Sequence, residues 1–270
     1  MVSRLPLLIL LILLTPVVSG ATDKGCLRCH QSHYTDQGTC TSCHRGDDRT
    51  DRKRIAHYQL IPARYAAFTL PGSERVARGK KLVERFGCRR CHIVDKEGTA
   101  LAASLDRLEA KAPEELAAAI DRPAIYMPEF RFSATDRDDL VNYLLWLGRD
   151  GRTGDKETPV VVHFVRKERE GEHPFVKRCG GCHKALTETL GGIGTGTIGP
   201  NLSSLFTAFY PRPYREGERW TPQRLREWLK NPRTVRPAAV MPPVVLEEGE
   251  GERIADLLIV KRLHPDPNSR

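Results

Sequence analysis

Eight cysteines, and the histidines that follow them, are the residues of this chain whose types and spacing could do chemistry. The cysteines form four pairs, each with two residues between its members and a histidine directly after. The four copies are Cys26-Leu-Arg-Cys29-His30, Cys40-Thr-Ser-Cys43-His44, Cys88-Arg-Arg-Cys91-His92 and Cys179-Gly-Gly-Cys182-His183. This is the attachment sequence of c-type haem, in which two thiols bond to one porphyrin and the histidine binds its iron. The pattern predicts four covalently bound haem c groups.

Three other kinds of site use closely spaced cysteines. A zinc site could take two such pairs, but it has no need of a histidine after every second cysteine. A disulfide framework is possible in an exported protein, although pairs so close in sequence make poor bridges across a fold. A thioredoxin-like redox motif would normally occur once. Four copies, each with its histidine, favour haem over these alternatives.

The first 21 residues predict an export signal. Arg4 precedes an apolar run, and small residues follow at 19–21, which is the layout of a cleavable signal peptide. The alternative is an uncleaved membrane anchor, although the run is shorter than the roughly 20 residues that a spanning helix needs. Bacteria attach haem c outside the cytoplasm, so we expect a periplasmic protein. It would meet the inner membrane only through a partner or an uncleaved anchor.

The uneven spacing of the motifs predicts the domain organisation. Two motifs lie within residues 26–44, and the other two stand alone with long tails. We expect a signal peptide over 1–21, a dihaem module over 22–71, one-haem domains over 72–150 and 163–270, and a linker over 151–162. The linker segment contains glycine, proline and charged residues, which are typical of a connection between domains.

Helical periodicity and capping signals predict a mainly α fold: two small helical domains and a loop-rich dihaem module. Helices are expected over 73–86, from Pro113, from Ser133 to Gly148, from Thr221 to Asn231, and from about Glu250 to Leu263. Ser133 begins a capping box that Asp136 completes. No strand is expected.

Residues 72–150 resemble a class I cytochrome c domain. The matching elements are Gly79-x-x-Leu82, Gly87 with the third haem motif, Met127-Pro128 and the capped terminal helix. The resemblance implies that Met127 is the distal ligand of the iron that His92 binds from the other side. The Gly-Pro-Asn-Leu segment of that family is missing, and residues 103–105 take its approximate place. Either another carbonyl orients His92, or its ring is held less firmly.

Residues 163–264 resemble the same family more fully. After the fourth motif come Gly199-Pro200-Asn201-Leu202, Trp220-Thr221-Pro222, Trp228-Leu229, Asn231-Pro232 and Met241-Pro242. The resemblance implies that Met241 is the distal ligand and that the Pro200 carbonyl orients His183. A methionine can also simply fill a gap in a core. However, Met127 and Met241 are the only methionines after Met1, and each precedes a proline.

Residues 22–70 resemble the small modules of multihaem cytochromes in which both axial ligands are histidine. His33 and His57 are the local candidates, because this stretch contains no methionine. His33 should be unable to reach the far face of the haem that His30 binds. We therefore assign His33 to the second haem, opposite His44, and His57 to the first.

With these assignments every iron has two axial ligands. Three further histidines, His163, His173 and His264, are the alternatives to His33 and His57, and otherwise we expect them in surface or supporting roles. Catalysis at haem generally needs an open or labile position, so a closed ligand set favours electron transfer. The alternative is an enzyme, a multihaem reductase or peroxidase in which one axial ligand is labile.

The net charge of +9 does not indicate a nucleic-acid partner. The basic residues are scattered, and four haems would bring about eight negative propionate charges, which offset the excess. We expect redox-protein partners, among them a membrane b-type cytochrome or a quinol oxidoreductase. The sequence thus predicts a periplasmic relay, or the cytochrome c subunit of a quinol-oxidising bc-type respiratory complex.

Overall fold

The computed structural model describes residues 25–108, 111–149 and 173–264. The expected signal peptide, the linker and His163 lie outside the described residues. The described part of the chain is mainly α, as predicted. Its helices are α1 (Cys40–His44), α2 (Lys53–Ala56), α3 (Ala63–Ala66), α4 (Glu74–Phe86), α5 (Pro113–Asp121), α6 (Ala134–Gly148), α7 (Pro174–Arg178), α8 (Pro222–Lys230), α9 (Pro232–Val235) and α10 (Glu250–Leu258). Across these ranges, no helix combines the length and apolar character needed to cross a membrane.

Side-chain caps set the ends of the two longest helices where the sequence predicts them. The Ser73 hydroxyl accepts from the Val76 amide at the start of α4, and Gly87 ends that helix in a left-handed conformation. The Ser133 hydroxyl accepts from the Asp136 amide at 3.1 Å and begins α6. Each cap satisfies an amide that has no partner within its own helix.

The first core forms where α4 crosses α6 at close range. A Cβ on Gly79 would lie 2.2 Å from the Asp139 carbonyl oxygen and 2.6 Å from the Tyr143 Cβ, so the crossing requires glycine. Val83 of α4 and Leu144 of α6 are both buried beside this contact. Burial of this apolar surface is the main force that holds the two helices together.

The same core continues into residues expected to belong to the dihaem module. Ile61, Tyr65 and Phe68 are all buried in it. The Phe68 amide also donates to the Asn142 side chain at 2.9 Å, which ties this segment to α6. The boundary after residue 71 stays a prediction, but the packing of the first domain extends across it.

The second core gathers α7, α8 and α10 around buried Phe175, Leu205 and Ile254. The Arg178 Nε atom of α7 donates to Glu250 Oε2 at 3.0 Å at the start of α10. Proline occupies the first turn of α5 and of α8, where its missing amide costs nothing. These two helices begin where the sequence predicts.

Short strands are present, contrary to expectation. They are β1 (Ile93–Val94), β2 (Glu97–Thr99), β3 (Ala185–Thr187), β4 (Gly191–Ile193) and β5 (Leu263–His264). All pairs are antiparallel, in the orders β1-β2-β5 and β3-β4. Segments of two or three residues carry too little alternation to be recognised in a sequence.

The last helix was also predicted too long. It ends at Leu258, and Ile259 adopts an extended conformation. Leu263, the expected helix end, instead pairs with Thr99 in the three-stranded sheet. This long-range pairing, which is absent from the local sequence signal, decides the conformation of these last described residues.

Candidate haem sites

Each of the four cysteine-histidine motifs folds as a single helical turn. The second motif is α1, and in the others the histidine amide donates to the carbonyl of the first cysteine. The distances are 3.0 Å for His30, 3.1 Å for His92 and 2.9 Å for His183. Residues three and four apart lie on one side of a helical turn. Both sulfurs and the imidazole of each motif therefore share a side of the turn, as attachment to one porphyrin requires.

Backbone carbonyls hold the imidazoles of three motifs. Nδ1 lies 2.9 Å from the Ile61 oxygen in His44, 2.7 Å from the Ala103 oxygen in His92 and 2.7 Å from the Pro200 oxygen in His183. A carbonyl can only accept, so Nδ1 must carry the proton in each ring. The lone pair of Nε2 is then available to a metal, which is the usual arrangement of a metal-binding histidine.

The contact of His92 answers the question left open by the missing Gly-Pro-Asn-Leu segment. Ala103 supplies the carbonyl, from the segment that takes the place of that sequence. Desolvation by the surrounding protein lowers the pKa of the His92 ring. A lowered pKa keeps the imidazole neutral, and only the neutral form binds a metal.

His183 is held on its second side by Gly199. A Cβ on this glycine would lie 2.2 Å from Cε1, 2.5 Å from Nδ1 and 2.8 Å from Nε2 of the His183 ring. Only a residue without a side chain lets the backbone approach the ring so closely. Gly199 and Pro200 together fix the plane and the tautomer of this imidazole.

The third and fourth motifs are supported in the same way. A hairpin follows each motif, β1-β2 in the first domain and β3-β4 in the second. Gly98 lies within β2 and Gly194 directly follows β4, with positive φ angles of 134° and 73°. A Cβ on either would lie 2.1 Å from the carbonyl oxygen of the preceding motif histidine. This shared support leaves no recognisable sequence pattern, because the two glycines are separated from their motifs by different numbers of residues.

In the N-terminal module the four histidines form two pairs. The ring centroids of His30 and His57 are 6.0 Å apart, and those of His33 and His44 are 5.7 Å apart. Two imidazoles on opposite sides of one metal, each bonded at about 2 Å, have centroids about 6 Å apart. The pairs that the structure brings together are those assigned from the sequence.

The two methionines lie in loops of their respective domains. Met241 is half-buried against the second core, and its sulfur accepts a hydrogen bond of 3.1 Å from Trp228 Nε1. Met127 is also half-buried, and its amide donates to the Ala124 carbonyl at 2.8 Å in a turn before α6. Both methionines are thus partly exposed, and the Met241 side chain is held by Trp228.

Three of the four cysteines in the third and fourth motifs lie in surroundings that disfavour a thiolate. Cys91 and Cys179 are buried, and Cys88 is half-buried. Burial raises the pKa of Cys88 and of Cys179 to about 11. A neutral thioether suits such a site better than the charged sulfur that a zinc ion would need. Within the described ranges, no group of three or more histidine, cysteine or carboxylate side chains could hold a metal ion.

Two of the remaining histidines can be placed. His173 caps α7, where its Nδ1 atom accepts from the Phe175 amide at 3.1 Å. Partial burial and, to a lesser extent, the charge of Arg253 lower the pKa of His173, which keeps the ring neutral and able to accept. The backbone of His264 pairs with Gly98 in the sheet. His173 thus has a supporting role at a helix start.

Taken together, the donor sets fit haem c: paired sulfurs beside an imidazole, with the Nδ1 proton held by a carbonyl in three cases. Residues 74–144 match the family model described as "Cytochrome C oxidase, cbb3-type, subunit III". This match covers about a quarter of the chain. No curated protein and no solved structure matched the chain. This match supports a c-type cytochrome domain over residues 74–144, and a domain of that kind implies covalently bound haem c and a role in electron transfer.

Proposed function

We propose that the chain is a tetrahaem c-type cytochrome that relays electrons and carries out no substrate chemistry at its irons. The observation that carries this proposal is the pairing of four histidine rings in the N-terminal module, at 6.0 and 5.7 Å. Each pair combines a motif histidine with one from outside the motifs. Two metals bound between them would each have both axial positions filled by protein.

The residues around the motifs have a positioning task. Bound haem supplies a one-electron iron couple, and the protein tunes it through axial ligands, hydrogen bonds and burial. The carbonyls of Ile61, Ala103 and Pro200 hold the Nδ1 protons of three imidazoles. Hydrogen bonding of this kind makes the opposite nitrogen a firmer ligand.

The ligand types give the relay a direction. Methionine ligation raises the potential of a haem iron relative to ligation by two histidines. The N-terminal pair would then be low in potential, and the sites of His92 with Met127 and of His183 with Met241 would be higher. Electrons would run downhill from the N-terminal module through the two one-haem domains to an external acceptor.

The setting we propose is the periplasm, with a membrane redox complex as partner. The matched family is named after a subunit of a cytochrome c oxidase, which supports a role as an electron-transfer subunit or as a relay to one. A quinol-oxidising complex of the bc type is the partner that we favour, because two low-potential haems suit electrons leaving a quinol. Four bound haems would also offset most of the formal charge of +9.

A redox titration of the holoprotein, followed by absorption spectroscopy, tests the proposal. We expect four low-spin haems, about half titrating at low and about half at higher potential, with a weak red-edge band that marks methionine–iron bonds. A high-spin signal in the resting protein would contradict the proposal. It would instead favour a reductase or peroxidase with a labile axial ligand.

A further inference from the structure

The loop that presents Met127 is held by the other cytochrome domain. Lys184 Nζ donates to the Ile125 carbonyl at 3.1 Å, and Asn201 Nδ2 donates to the Tyr126 carbonyl at 2.9 Å. Two consecutive carbonyls directly before Met127 are thus bound by side chains of the second domain. Lys184 directly follows His183, and Asn201 directly follows Pro200, so both donors belong to the fourth haem site.

The Tyr126 ring packs into a space that only glycine can leave open. A Cβ on Gly192 would lie 2.0, 2.3 and 2.4 Å from three atoms of this ring. Gly192 lies in β4, which supports the fourth motif, and it is buried. The loop of the first domain is therefore fixed by two hydrogen bonds and by the fit of one ring.

Asn201 is itself held in one orientation. Its Oδ1 atom accepts from the Ser203 amide at 2.9 Å and from the Ser203 hydroxyl at 2.6 Å, which leaves the Nδ2 group to donate to Tyr126. The Asn201 carbonyl accepts from the Arg90 guanidinium at 3.3 Å, and Arg90 stands between Cys88 and Cys91. Asn201 therefore contacts both the attachment turn and the Met127 loop of the first domain.

We propose that Asn201, Lys184 and Gly192 are positioning residues for Met127, so that the second cytochrome domain sets the distal ligation of the first. This inference rests on the proposed role of Met127 as a ligand. One loop, residues 199–202, then serves two haem sites. Pro200 orients the proximal imidazole of the fourth site, and Asn201 holds the Met127 loop of the third site. A change in either site reaches the other through adjacent residues.

The test is the Asn201→Asp variant of the full-length holoprotein. Aspartate keeps an oxygen for Ser203 but cannot donate to the Tyr126 carbonyl, and it places a second acceptor against it. We expect the methionine–iron band to fall to about half of its wild-type amplitude, since one of two such sites is lost, at unchanged haem content. Asn231→Asp is the matched control, because Asn231 only accepts through its side chain, from the Arg233 amide at 3.1 Å.

A second pair of variants guards against misfolding. Gly192→Ala should also reduce the band, and adding Tyr126→Ala should restore it, because that change removes the ring but keeps the carbonyl for Asn201. Either of two results would overturn this inference but leave the proposed function standing. One is an Asn201→Asp spectrum like that of the wild type. The other is a loss of the methionine–iron band in Gly192→Ala that Tyr126→Ala does not restore. If Met127→Leu leaves the wild-type band intact, the proposed ligand set itself is wrong, and the inference falls with it.

Discussion

Replacing Gly199 with alanine should detach His183 from the carbonyl that orients it. The new Cβ would lie 2.2 Å from Cε1 of the ring, whereas ordinary contact begins at 3.4 Å. The ring must therefore move away by about 1.2 Å, which is the difference between these two distances. Such a shift is enough to break the 2.7 Å bond from Nδ1 to the Pro200 oxygen.

The expected loss of folding stability combines overpacking of the site with the lost hydrogen bond. Overpacking of a tight site costs about 1–3 kcal/mol, and the lost hydrogen bond costs about 1 kcal/mol. We expect the free energy of unfolding to fall by about 2–4 kcal/mol in denaturant titrations. One of the four proposed haems should also lose its low-spin spectrum, while haem content stays unchanged because Cys179 and Cys182 are untouched.

Gly181→Ala is the matched control for this experiment. Gly181 lies in the motif that contains His183 and supplies no ligand, and a Cβ there meets no described atom within 4 Å. We expect its spectrum and unfolding curve to follow the wild type. A Gly199→Ala protein with the wild-type spectrum and stability would refute the reasoning, since the ring could then be moved at no cost.

Two further predictions concern the proposed distal ligands. His33→Ala and His57→Ala should each convert one low-spin haem to high spin, because each removes one ring of a pair. Electron paramagnetic resonance can count the affected haems. His173→Gln is the control and should leave the haem spectrum unchanged, since His173 caps a helix. Trp228→Phe removes the hydrogen bond that draws electron density from the Met241 sulfur. The reduction potential of the haem proposed at His183 and Met241 should therefore fall in a redox titration. An unchanged potential would mean that this hydrogen bond does not tune the haem.

Helix starts were the part of the fold best predicted from the sequence. Ser133 and Thr221 act within a few residues of themselves, so their effect can be read locally. The predicted end of the last helix was wrong for the opposite reason. Leu263 is drawn into a sheet by Thr99, more than 160 residues earlier, and no local pattern signals such a partner.

In the candidate sites too, features set by nearby residues were predicted from the sequence, and features set by long-range packing were not. Cysteine and histidine spacing within one turn is a local signal. The assignment of His33 to the haem of His44, and of His57 to the haem of His30, followed from the reach of a short chain. The carbonyl of Ala103 could not be identified, because any residue can offer a carbonyl. The bond from Asn201 to Tyr126 joins positions 75 residues apart, and it depends on how two domains pack.

The haem content per chain is the most direct test of four attachment motifs. The full-length protein, expressed with export and haem attachment, would be extracted with acidified organic solvent to remove loose haem. Its pyridine haemochrome spectrum would then be compared with the protein concentration from amino-acid analysis. We expect four haem c groups per chain, one for each motif. A ratio of one, confined to the matched domain of residues 74–144, would contradict the tetrahaem assignment.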